Sequence, residues 1–198
     1  MRAIAITGFL GTGKTTFTLA LAEALVDAGL RVAIIENERG GIGVDGAYLA
    51  AHGLMVREIR AGCVCCELTL PLHQTIAALI AGFAPDALIL EASGVANADA
   101  LRAALSSQEA GTLPWQFVAI LDAPRFERLW GERYGIGTLV RPQLAQADLL
   151  LLSKIDGLDE DELLAVAERI QDLRPDAPLL PFVPGDAAGV AEIVSALG

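Results

Sequence analysis

Short, unbroken hydrophobic blocks alternate along this chain with longer stretches in which apolar side chains return every three or four positions. Ala3-Ile4-Ala5-Ile6 predicts a buried strand that runs into a glycine-rich turn. Phe17, Leu21, Ala24 and Leu25 then mark one helical face that stops at Gly29. Arg31 to Glu36 reads as a second strand, and residues 37–53, glycine-rich and unpatterned, as a loop with room for a short helix. Leu54 to Ile59 reads as a third, edge-like strand. Helical spacing resumes from about Leu70 to Gly82, and Ala87 to Leu90 is again strand-like. Residues 97–107 predict a helix, Phe117 to Leu121 an extended segment, and Leu149 to Leu152 a buried strand. A charged helix over about 159–173, a strand near 178–183 and a helix from about 186 close the pattern. Strands that are apolar throughout and separated by helices call for a mostly parallel sheet with helices on both faces. The expectation is a three-layer α/β fold, a single domain over residues 1–198, since no linker-like stretch divides it.

Composition narrows the function classes. The chain has 198 residues, 54% of them hydrophobic, which suffices for a core without disulfides. A net charge of −11 argues against nucleic acid or an anionic membrane as partner. The opening MRAIAIT is too short for a signal-peptide core, and no apolar run approaches the roughly 20 residues that span a bilayer. The three cysteines form no disulfide framework, so a reducing, cytoplasmic setting is expected.

Gly8-Phe9-Leu10-Gly11-Thr12-Gly13-Lys14-Thr15 fits G-x-x-x-x-G-K-[ST] at every fixed position, between a strand and a helix as the chemistry requires. Backbone N–H groups of Gly11, Thr12 and Gly13, with Thr16 in the first helical turn, can converge on phosphate oxygens. Lys14 adds a full charge near the β/γ-phosphates, and Thr15 offers a hydroxyl to Mg²⁺. The chain uses arginine at twelve positions and lysine at only two, Lys14 and Lys154. Both lysines lie in nucleotide-contact motifs, where a compact ammonium on a slender stem is useful.

Leu149 to Leu152 ends in Ser153-Lys154-Ile155-Asp156, close to the N-K-x-D of P-loop GTPases. There the Asp accepts hydrogen bonds from guanine and the Lys stem packs on the base. This layout assigns Lys154 and Asp156 to the base, with Ser153 departing from Asn. Ala87 to Leu90 followed by Glu91 has the layout of a Walker B strand, so Glu91 can hold Mg²⁺ directly or through water. Gly94, three residues on, can offer its N–H to the γ-phosphate. Asp122 has the same apolar lead and competes for the role. In the segment Glu36–Gly46, Glu38 and Asp45 are candidates for positioning water or Mg²⁺. No arginine or glutamine stands where sequence alone would assign it to hydrolysis, so slow intrinsic turnover is expected.

Cys63, Cys65 and Cys66 place every thiol within four positions, which random placement achieves in about one chain in two thousand. Three thiolates suit Zn²⁺, Co²⁺ or Cu⁺ and leave a tetrahedral ion one open position, as a site that passes its metal on requires. A redox-sensing cluster and an inert core cluster are the alternatives, and His52 or His73 could complete a metal site.

Together these motifs resemble the CobW-like metallochaperone GTPases, relatives of the GTPases that help insert nickel into hydrogenase and urease. The resemblance runs through GFLGTGKTT at 8–16, a switch at 37–45 similar to the family's NEFGEIGID, GCVCC at 62–66, EASG at 91–94 and SKID at 153–156. It implies a P-loop NTPase fold, GTP and Mg²⁺ at Lys14, Thr15 and Glu91, guanine at Lys154 and Asp156, and a transition metal (Zn²⁺ or Co²⁺) at Cys63, Cys65 and Cys66. It also implies a metal-receiving client protein and is compatible with a homodimer. Arg39-Gly40-Gly41 replaces the family's Phe-Gly-Glu, and the expectation is the GTPase domain alone, without the second, C-terminal domain that many relatives carry. An ATP-dependent small-molecule kinase on the same fold and a redox-sensing, nucleotide-binding regulatory module are the rival readings.

Overall fold

The computed structural model describes residues 1–36, 53–58, 69–106, 113–132 and 135–198. Seven strands form one sheet: β1 (Arg2–Thr7), β2 (Val32–Glu36), β3 (Leu54–Glu58), β4 (Ala87–Glu91), β5 (Trp115–Asp122), β6 (Leu149–Ser153) and β7 (Leu179–Phe182). Their order is β3-β2-β4-β1-β5-β6-β7, and every neighbouring pair is parallel. The expected strands are present, and the edge position foreseen for the third is where β3 lies. At the other edge, β7 tolerates Pro181 because an edge strand can forgo a ladder donor.

Seven α-helices stand among the described residues: α1 (Lys14–Asp27), α2 (Thr69–Phe83), α3 (Ala98–Leu105), α4 (Phe126–Gly131), α5 (Gly137–Ala145), α6 (Glu160–Leu173) and α7 (Ala187–Ala196). Alternate strand residues serve opposite faces. Ile4, Ile6, Ile34, Ile89 and Ile120 pack with Phe17, Leu21 and Leu25 of α1 and with Val190 and Ile193 of α7. Ala5, Ala33, Ile35 and Leu90 pack beneath Leu72 and Ile76 of α2 and Leu101 of α3. A third cluster joins Ala119, Leu121, Leu150 and Leu152 to Phe126, Leu144 and Ile170, beneath α4, α5 and α6. Helices thus cover both faces, which is why the central strands carry no polar face.

Helices α4 and α5 have no counterpart in the sequence pattern. The first has six residues and the second contains Pro142, so neither offers enough turns for a period to emerge. Side-chain contacts hold them instead: within α4 Phe126 stacks on Trp130 at 5.9 Å, and the Arg141 guanidinium of α5 donates to the Trp130 carbonyl at 3.0 Å. No described helix is long and apolar enough to cross a membrane.

Candidate functional site

The central strand β1 delivers the chain to the carboxyl edge of the sheet, where the loop 8–13 turns it into α1. That loop is confined. A side chain at Gly8, whose φ is +143°, would bring Cβ to 2.6 Å from the Ile120 carbonyl oxygen. Gly13 caps α1 with φ +96°, no side chain accepts from the first turn, and no acid lies within that turn. By contrast, Asn97, Asp159 and Asp186 cap α3, α6 and α7 with side-chain oxygens. The amino end of α1 therefore keeps its N–H groups and partial positive charge for another acceptor.

Within the loop, the Thr12 hydroxyl donates to the Phe9 carbonyl at 3.0 Å, so its side chain braces the turn. Lys14 is buried, with Nζ 3.4 Å from the Phe9 carbonyl. Thr15 and Thr16 are exposed at the start of α1, and the Thr15 hydroxyl donates to Glu91 Oε1 at 2.6 Å, joining residues 76 apart in sequence. Gly94 is packed against the loop: a Cβ there would meet Leu10 N at 2.8 Å and Leu10 Cδ2 at 2.7 Å. Only glycine lets the segment after β4 approach the loop this closely.

Glu91 does not stand alone. Glu36 ends β2 in register with Glu91 on one side and with Glu58 on the other. Glu36 is 4% exposed, and among the described residues neither of its carboxylate oxygens has a hydrogen-bond partner; nor does Glu91 Oε2. Burial, with the charges of Glu91 and Glu58 adding to it, pushes the Glu36 carboxyl up to about 7. Three buried carboxylate oxygens without donors beside a threonine hydroxyl make a hard, oxygen-only donor set that fits Mg²⁺. Glu36 itself escaped sequence reasoning, which weighed Glu38 and Asp45. The signal was available, because Glu36 closes an apolar strand just as Glu91 does.

Asp122 has the opposite environment. Its Oδ2 lies 2.7 Å from both Lys154 Nζ and Arg125 Nη2, and its Oδ1 accepts from the Arg125 backbone N–H at 3.1 Å. Burial raises this carboxyl, but the hydrogen bonds and charges of Arg125 and Lys154 outweigh it and hold the group below its usual value. The two acids that competed in sequence are thereby separated, Glu91 lying against Thr15 and Asp122 against two cations. Arg125 Nη2 also donates to the Leu10 carbonyl at 3.0 Å, placing an arginine on the loop that no sequence spacing announced. Ser153 reaches the loop as well: its hydroxyl lies 2.8 Å from the Thr12 carbonyl and 3.0 Å from the Leu121 carbonyl. Lys154 and Asp156 are exposed on the turn that follows β6.

Asp45, Cys63, Cys65, Cys66, Glu38 and His52 lie outside the described residues. His73 is described on α2, buried, with Nε2 2.9 Å from the Ala104 carbonyl, an interhelical contact. Among the described residues, no group of three or more His, Cys, Asp or Glu has metal-holding geometry.

The family model described as the CobW/HypB/UreG nucleotide-binding domain matches residues 2–181. The zinc chaperone YeiR of Escherichia coli is 37% identical over 155 residues, covering 76% of this chain and 45% of that protein. The zinc chaperone YjiA of the same organism is 28% identical over 189 residues, covering 91% and 57%. The chain thus spans about half the length of these relatives. Among solved structures, HypB from Helicobacter pylori in complex with nickel superposes with a TM-score of 0.66 at 19% identity, covering all of this chain and 85% of that one. At that identity the likeness concerns the fold.

Proposed function

We propose, from the premise that this chain belongs to the CobW/HypB/UreG nucleotide-binding domain family, that it binds and hydrolyses GTP and couples nucleotide state to the holding and delivery of a transition metal. The observation that carries this reading is the Thr15–Glu91 hydrogen bond at 2.6 Å beside the buried Glu36 carboxylate, which has no hydrogen-bond partner among the described residues. It brings the phosphate loop, the end of β4 and the end of β2 to one cation-seeking point.

In this proposal the N–H groups of Gly11, Thr12, Gly13, Lys14, Thr15 and Thr16 receive the phosphates, with the Lys14 ammonium against the β/γ oxygens. Thr15 and Glu91 hold Mg²⁺, directly or through its water, and Glu36 adds negative charge behind them. Bound there, the ion neutralises charge developing on the phosphate oxygens. Asp45 positions the attacking water, whose addition to the γ-phosphorus releases GDP and inorganic phosphate. Gly94 offers its N–H to the γ-phosphate and, because it already abuts Leu10, registers whether that phosphate is present. Lys154 and Asp156 take the guanine base.

Cys63, Cys65 and Cys66 hold Zn²⁺ or Co²⁺ as cargo. They begin five residues after Glu58, the strand end in register with Glu36, so rearrangement at the nucleotide reaches them through a short stretch of chain. Family membership and the zinc chaperones among the relatives support metal as cargo over redox sensing. A client protein receives the metal.

The test is a Zn²⁺ and Co²⁺ titration in the presence of GDP and of a non-hydrolysable GTP analogue. The metal affinity is expected to differ between the two, and by linkage the metal is expected to change the preference for the analogue over GDP by the same factor. Equal affinities in both nucleotide states would sink the coupling. Tighter binding of ATP than GTP would instead favour a kinase.

A further inference from the structure

The nucleotide-binding reading above assigns the base to the turn after β6 and the phosphates to the loop after β1; the inference here rests on that reading. We propose that Asp122 and Arg125 are positioning residues that tie Lys154 to the phosphate loop, so that base and phosphate recognition are set by one charged network. Neither residue need touch the nucleotide.

The links are continuous. Lys154 Nζ and Arg125 Nη2 both lie 2.7 Å from Asp122 Oδ2, and the same Arg125 nitrogen donates to the Leu10 carbonyl at 3.0 Å. Asp122 is 2% exposed at its side chain, whereas Lys154 is 48% exposed. The anion is thus the fixed member and the lysine the member that needs fixing. Lys154 also carries a left-handed backbone, φ +58° and ψ +35°, a strained conformation for a non-glycine residue that persists where surroundings enforce it. The buried carboxylate is one enforcing contact. A second is packing between the two turns that follow β5 and β6, where a Cβ on Gly157 would lie 3.6 Å from Pro124 Cγ. With Lys154 anchored, the next two residues bring Asp156 to a defined place. Leu10, at the far end of the network, is also the residue on which Gly94 rests.

Arg125 sits on the phosphate side of this network, so its effect on base choice separates a relay from local bracing. GDP and ADP dissociation constants should be measured for the wild type and for Arg125→Ala, Arg125→Lys, Lys154→Ala and Asp122→Asn, each checked for folding by circular dichroism. Arg125→Ala is expected to lower the GDP-over-ADP preference at least about threefold, with Arg125→Lys restoring part of it by keeping a cation on Asp122. The effects of Arg125→Ala and Lys154→Ala on GDP binding should be non-additive, and additive once Asp122 is Asn. If Arg125→Ala weakens GDP and ADP equally and the cycle is additive with Asp122 intact, Arg125 merely braces the loop and the proposal is wrong. Wild-type protein that binds ADP as tightly as GDP would overturn the guanine assignment, not the network. The additivity test is then read on ADP, where additive effects overturn the network and non-additive effects support it.

Discussion

On either side of the phosphate loop, the carboxyl edge of the sheet carries a buried acid, Glu36 on one side and Asp122 on the other, with opposite fortunes. On the β2/β4 side, Glu36 and Glu91 hold three oxygens without donors among the described residues, and Glu36 is pushed up to about 7. On the β5/β6 side, Asp122 is just as buried but has two cations at 2.7 Å and is held below its usual value. Burial is common to both, so counter-charge decides the difference. One side is complete without a ligand and keeps its parts in place. The other has no such counter-charge among the described residues, and it is there that the proposed reading puts Mg²⁺.

The two sides should also respond to pH with opposite sign. Glu36, raised in the folded state, favours folding at low pH, and that contribution declines as pH rises from about 4.5 to about 7. Asp122, lowered in the folded state, contributes stability at neutral pH that disappears as pH falls below the ordinary carboxylate range.

The comparison breaks most severely if one side is converted into the other. Arg125→Ala with Lys154→Ala leaves Asp122 buried without a counter-ion, a state expected to cost about 3 kcal/mol in urea denaturation at pH 7. Adding Asp122→Asn should recover most of that loss; failure to recover would mean the cations act through packing. Next in size, Glu91→Gln should reduce Mg²⁺-dependent tightening of a GTP analogue by about a hundredfold, near 2.7 kcal/mol, while leaving Mg²⁺-free GDP binding nearly unchanged. An equal loss with and without Mg²⁺ would remove Glu91 from the ion. Third, Glu36→Gln should stabilise the nucleotide-free protein by about 2.5 kcal/mol more at pH 8 than near pH 5. Thermal melts across that range read it directly, and a pH-independent change would contradict the unpartnered carboxylate. Smallest, Ser153→Ala removes a hydroxyl that can donate to only one of its two carbonyls at a time, so about 1 kcal/mol of stability is at stake.

The legible parts of this molecule were those in which local sequence and tertiary burial agree. Leu149 to Leu152 had to be a strand buried on both faces, and the glycines and Lys14 of the loop announced themselves by spacing. Helix α5 did not, because Pro142 and its short length leave its conformation to Arg141 and the core beneath it. The contact between Arg125 and Leu10 spans 115 residues and depends on β5 lying beside β1, a fact of topology no local pattern encodes. Glu36 obeys the same rule as Glu91, an acid closing an apolar strand, but no residue spacing marks it above Glu38 and Asp45, which share its glycine-rich neighbourhood.

Glu58, Glu36 and Glu91 occupy successive rungs of one parallel ladder, so main-chain hydrogen bonding spaces them, at about 4.8 Å from strand to strand. The sheet works as a ruler. Slipping β2 by a single residue would swing Glu36 away from α1 to the opposite side of the sheet. An insertion or deletion between positions 32 and 36 would therefore erase an acid that every other part of the fold still expects.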